Sequence, residues 1–257
     1  MNRLKFLLAS VIIFTFILST NSCKDEGFLE VKDDNIEERS KSAFIDLDIG
    51  EKHNYILDLY FTSFNSSGTN HSPDSILSRT ITLLETSIGN TINCVQKNKI
   101  LSQYYKIYPI CNKNLAKTFM LNSIDTLKYN VPSNLNLVVF DTLKSMIINN
   151  NYNLNKLESL AAISVNSTAE KEIIYESLSI LKQSENYWKN DTNLSDDDVQ
   201  AIVELDCAGY MLAWGNSVYA EIRNNGHLSE GNANDRIVAG LAGAAGASLG
   251  GKKWWSF

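Results

Sequence analysis

Three histidines, four cysteines and a set of acidic clusters are the side chains able to do acid–base, nucleophilic or metal chemistry in this chain. His71 and His227 lie in stretches rich in Gly, Ser and Asn, where solvent exposure is expected. His53 differs, because it opens the first apolar helical stripe in Gly50-Glu51-Lys52-His53-Asn54-x-x-Leu57. A His53-Asn54 pair there either caps and packs the helix or lines a small site with acids brought in by the fold. Asp206 and Glu204 are the carboxylates that such a site would use for general acid–base work. No H-E-x-x-H pair, G-x-S-x-G elbow, phosphate-binding loop or dinucleotide fingerprint occurs. No catalytic set, metal site or cofactor is therefore assigned, and His53 and Asn54 stand as the site candidates.

Asp191-Thr-Asn193-Leu-Ser195-Asp-Asp197 imitates the opening of a calcium loop, but the turn glycine is missing and Ile202 stands where the bidentate Glu belongs. Helix capping is the better account. Cys94, Cys111 and Cys207 lack zinc-ligand spacing. An oxidising compartment permits a Cys94–Cys111 disulfide, with buried free thiols as the alternative. Cys207 falls inside an apolar helical stripe and is expected in the core.

These residues must be positioned by helices. Prolines are absent after Pro132, which favours long uninterrupted helices. Tyr55, Ile56, Leu59, Tyr60 and Phe64 recur at helical spacing, as do Ile76, Ile81, Leu84 and Ile88. Ser133 or Asn134 reads as the cap before Leu137, Phe140, Leu143, Met146 and Ile147. Leu137-Val138-Val139-Phe140 is the best strand candidate, although its context is helical. Thr168 and Glu170 open another helix. Ser195 followed by Asp196, Asp197 and Asp198 predicts a helix running to about Arg223 and stopped by Asn224-Asn225-Gly226. The expected fold is an all-α, irregular bundle of about six to eight helices, ending in a small-residue helical hairpin over residues 195–257.

That hairpin contains the most unusual stretch of the chain. Residues 237–251 read IVAGLAGAAGASLGG, with Gly243, Ala247 and Gly251 four apart and Ala239 continuing the row. Ala208, Gly209, Ala213 and Gly215 offer a second small row. Such rows let two helix backbones approach closely. Lys252, Lys253, Trp254, Trp255 and Phe257 would alternatively anchor the segment at a membrane interface.

The other end of the chain carries an address. Arg3 and Lys5 precede an apolar run from Phe6 to Leu18, which is shorter than the roughly 20 residues a bilayer span needs. Ser19-Thr20-Asn21-Ser22 and then Cys23 follow. This resembles a bacterial lipoprotein signal of the relaxed kind found in the Bacteroidetes, which is cut before a cysteine that is then acylated. The resemblance implies a signal peptide at 1–22 and a lipid anchor at Cys23, membrane association through that anchor, and placement in the outer membrane. Lys24-Asp25-Glu26 resembles the signal that sends such proteins to the outer face. A charged, flexible tether is expected over 23–45, and the helical domain over 46–257.

The formal net charge is −6, and losing Arg3 and Lys5 with the signal makes the remainder more acidic still. A chain of that charge with no basic stripe lacks what phosphate neutralisation requires, which excludes nucleic acid as a partner. Gly50-x-x-His53-Asn54-x-x-Leu57, Glu170-Lys171, Ser184, Tyr187-Trp188 and Asp206-x-x-Gly209 together resemble a group of exported Bacteroidetes proteins, some with bacteriocin-like glycine-rich ends. That resemblance implies no particular activity. The sequence thus points to a tethered surface lipoprotein acting as a binding or interaction module. A membrane-active effector working through the glycine-rich C terminus, and an enzyme using His53 with an acid, are the alternatives.

Overall fold

The computed structural model describes residues 44, 46–64, 73–89, 92, 97, 113–191 and 193–255. The signal segment, Cys23, almost all of the tether, His71, Cys94 and Cys111 lie outside the described residues. Among the described residues the chain forms eight α-helices and no strand. In chain order they are α1 (Ile49–Phe64), α2 (Pro73–Ile88), α3 (Lys113–Asn130), α4 (Val138–Ile148), α5 (Leu154–Ser164), α6 (Thr168–Trp188), α7 (Asp196–Asn225) and α8 (Ala233–Trp255). A single 3₁₀ turn, Glu230–Asn232, precedes α8.

Local chemistry sets most of these boundaries. At α7, the Ser195 hydroxyl accepts from Asp198 N while the Asp198 carboxylate accepts from Ser195 N, and three aspartates meet the positive end of the helix dipole. The helix ends where Gly226 turns left-handed at φ 77°, a conformation that glycine adopts without a Cβ penalty. Ser167 and Glu170 close the same kind of reciprocal cap on α6, which opens at Thr168 as expected. Asp48 and Glu51 do so at α1, with distances of 2.8 and 3.0 Å. The start of α4 corrects the sequence expectation. Neither Ser133 nor Asn134 caps it; the helix begins at Val138, whose N–H reaches Asn136 Oδ1 at 3.3 Å. Leu137-Val138-Val139-Phe140 is the entrance to this helix rather than a strand, with Val139 and Phe140 buried.

The α7/α8 hairpin forms the centre; α1, α2, α3 and α6 pack against it, and α4 and α5 lie on α3 and α6. Eighteen of the thirty residues of α7 are buried, so this helix is enclosed on nearly every side instead of presenting one apolar stripe. The two hairpin helices are antiparallel: Gly209 faces Gly243 and Ala247, and Gly243 also faces Ala213. The small-residue rows thus meet each other, with one correction. Gly215 belongs to a different contact, facing Leu127 of α3. α1 and α6 run side by side in a constant register. Gly50 N–H donates to Ser179 Oγ, Asn54 Nδ2 to the Gln183 carbonyl, and Tyr187 OH to Asp58 Oδ1, three rungs one helical turn apart.

Candidate functional site: a sealed His53–Ser248–Asp206 network

The register of α1 on α6 points His53 inward while Asn54 faces α6. His53 is fully buried, as are Asp206 on α7, Ser248 on α8 and Ser184 on α6. Four helices therefore meet at one polar point inside an apolar core. His53 Nε2 lies 3.0 Å from Ser248 Oγ and 3.6 Å from Asp206 Oδ2. The Ser248 hydroxyl donates to Asp206 Oδ1 at 2.5 Å. Ser184 Oγ donates to the other carboxylate oxygen at 2.5 Å, and the Trp188 indole N–H adds a longer contact at 3.3 Å.

On the far side of the imidazole, Nδ1 is 3.0 Å from Asn54 Oδ1. Because the Asn54 amide nitrogen is used on the Gln183 carbonyl, its oxygen faces the ring and Nδ1 must be the donor. Asn54 thereby fixes which ring nitrogen is left for Ser248. Burial pushes the Asp206 carboxyl above the usual carboxylate range, against the pull of the His53 imidazole and of the three donors around it.

Both sequence-named candidates, His53 and Asn54, belong to this network. Asp206 is the acid that joins them; Glu204 instead accepts from Gln200 Nε2 at 2.9 Å. His227 is exposed, with Nδ1 near the Asn225 carbonyl. Cys207 is a free, buried thiol that donates to the Ser177 carbonyl, and burial raises its pKa. Among the described residues no group of His, Cys, Asp and Glu is arranged to hold a metal ion. Five side chains picked out along the sequence, His53, Asn54, Ser184, Trp188 and Asp206, converge here. Ser248 was missed, since a serine in an Ala/Gly run carries no local signal.

A second buried polar layer went unnoticed in the sequence. Arg236, 1% exposed at the start of α8, holds both oxygens of Glu172 at 2.9 Å through Nε and Nη2. Its Nη1 reaches Glu221 at 2.7 Å and the Ser229 carbonyl at 2.9 Å. Trp214 donates to Glu172, and Tyr210 donates to Glu176 one turn along α6. With two carboxylates already on one guanidinium, the third is unmatched. Burial and the nearby Glu172 push Glu176 up to about 8, against the Tyr210 hydrogen bond.

Nothing in either layer makes a ready nucleophile. Ser248 and His53 are both fully buried, so no substrate reaches the hydroxyl that a histidine would activate. The layers do something else well. They give each ionisable group they bury a hydrogen-bond partner and fix the rotation of α1, α6, α7 and α8 about their axes. The chain matches no known family, no curated protein and no solved structure.

Proposed function

We propose that this protein is a lipid-tethered module of the outer membrane, facing outward, whose helical domain serves interaction rather than catalysis. The observation that carries this reading is the saturated, fully buried His53–Ser248–Asp206 network. The residues best suited to acid–base chemistry are consumed in holding four helices together. The outside of the domain supplies the contact chemistry: Tyr129 and Ile163 are 85% and 80% exposed, and Tyr175, Tyr219 and Ile148 also stand out from the surface. Single exposed apolar side chains are ordinary on a protein surface, so the reading leans on the network more than on them.

The enzyme alternative is favoured by one observation, the 3.6 Å approach of His53 to Asp206. It is opposed by the complete burial of both groups. The membrane-active alternative finds its small-residue row already packed on α7, and no described helix is long and apolar enough to cross a membrane.

Two measurements test the proposal. Detergent phase partition of the native protein should place it with the membrane lipoproteins, and Cys23→Ser should move it to the aqueous phase or block its processing. Treating the native protein with a fluorophosphonate probe should leave Ser248 unmodified. A Ser248 adduct would put the enzyme reading first, while unchanged partition of Cys23→Ser would remove the tether.

A further inference from the structure

The atoms around Ser248 admit two arrangements of the same protons. In one, His53 Nε2–H donates to Ser248 Oγ and the Ser248 hydroxyl donates to an ionised Asp206. In the other, Asp206 Oδ1 carries the proton and donates to Ser248, which donates to an unprotonated Nε2. Passing between them moves two protons by one hydrogen bond each. The N–H bond at Nε2 breaks as an O–H forms on Ser248, and the old Ser248 O–H breaks as one forms on Asp206. The net charge of the set stays at zero throughout, and Nδ1 keeps its proton on Asn54. The spacings of 3.0 and 2.5 Å along this path are hydrogen-bonding distances.

We propose that His53 and Asp206 share a single proton through Ser248, and that this shared proton is a latch fastening α8 to α1, α6 and α7. Adding a second proton leaves an unbalanced cation in a fully buried place. Removing the shared one leaves an unbalanced anion there. Either charge is costly in a site with no water contact. The latch therefore releases at both ends of the pH scale.

The surroundings leave this set isolated. On α1, Lys52 lies over the Phe44 ring and Glu51 caps the helix. On α6, Ser184 and Trp188 are neutral donors and Glu185 is paired with Lys189. On α7, Glu204 is held by Gln200 and the Cys207 thiol by Ser177. α8 contributes Ser248, and its Arg236 is paired with Glu172 and Glu221. α2, packed on α8, carries Arg79, and Glu85 paired with Lys97. α3, packed on α7, has Asp125, paired with Lys144, and Lys128, paired with Asp141, at the exposed surface. The latch rests on this geometry and is independent of the lipid tether.

The test follows the wild-type full chain in detergent by nitrogen-15 NMR of its histidines. From about pH 5 to 8, where an exposed imidazole titrates, the His53 ring nitrogens should keep their shifts. Independent titration of His53 across that range would overturn the proposal. A second measurement compares urea midpoints of the wild type and of His53→Gln/Asp206→Asn. The difference should be largest between about pH 4 and 6.5, where the unfolded chain also holds one of these two protons, and shrink toward both acid and alkali, with amide exchange over residues 239–249 quickening at the same two ends. A difference that is flat or changes in one direction only would overturn it. Should the double variant not fold, the wild-type NMR result decides.

Discussion

Gly209 and Gly243 face each other across the α7/α8 contact so closely that a Cβ built on either would stand 2.4 Å from the other's carbonyl oxygen. The obstacle is backbone on both sides, which cannot turn aside as a flexible side chain would. Gly209 lies about one turn from Asp206 on α7, and Gly243 about one and a half turns from Ser248 on α8. The glycines thus set the helix separation at which the 2.5 Å Ser248–Asp206 hydrogen bond forms.

Alanine at position 243 should accordingly destabilise the protein, by about 1–3 kcal/mol, as overpacking does when the surroundings cannot yield. The gain in helix propensity of up to about 1 kcal/mol is too small to offset it. Gly231→Ala is the comparison, because its Cβ would meet only the Ser229 hydroxyl at 3.5 Å. Thermal midpoints should fall for Gly243→Ala and hold for Gly231→Ala. Equal midpoints would mean that the hairpin is looser than this packing.

His53→Gln removes the counter-charge of Asp206 and leaves a buried carboxyl with no cation. The Asp206 pKa is already raised by burial, so the folded state keeps its proton at a pH where the unfolded chain has released it. Stability from that proton is present in acid and lost as pH rises through the folded value. The variant should therefore be hurt more at pH 8 than at pH 5, read as the shift in urea midpoint from wild type. A larger penalty at pH 5 would contradict this sign.

Glu176 imposes a slope of its own. With its pKa pushed to about 8 in the fold and near 4.3 in the unfolded chain, the folded state holds one extra proton between those values. Stability should decline across that window, by at most about 1.4 kcal/mol per pH unit. Glu176→Gln should flatten that part of the profile while keeping a hydrogen-bond partner for Tyr210. An unchanged slope would show that Glu176 is ionised in the fold.

Arg236→Met should cost about 3–5 kcal/mol, since it strands Glu172 and Glu221 without their cation in the core. Replacing Lys182, whose partner Glu158 is solvent-exposed, should cost about 1 kcal/mol or less. Denaturant unfolding of the two variants measures the contrast, and similar losses would mean that the Arg236 site admits water.

How much of this was legible in the sequence depended on range. The class of fold, the start and stop of α7 at Ser195 and Gly226, and the packing row through Gly243 were readable. Caps and small-residue spacing act between residues three or four apart, and the sequence displays those separations directly. His53 and Asn54 stood out by type and position, but their partners did not. Asp206 and Glu204 were indistinguishable along the chain, being two residues apart on one helix. The rotation of α7 against α1 gave Asp206 to His53 and left Glu204 with Gln200. Ser248 and Arg236 carried no signal because their meaning lies in carboxylates far away in sequence, Asp206 for one and Glu172 for the other. Gly215 went to α3 rather than α8 for the same reason. Helices were dictated by backbone hydrogen bonds and side-chain periodicity, which are local. Which polar groups meet inside was decided by helix packing, where burying a charge is tolerable only beside its partner.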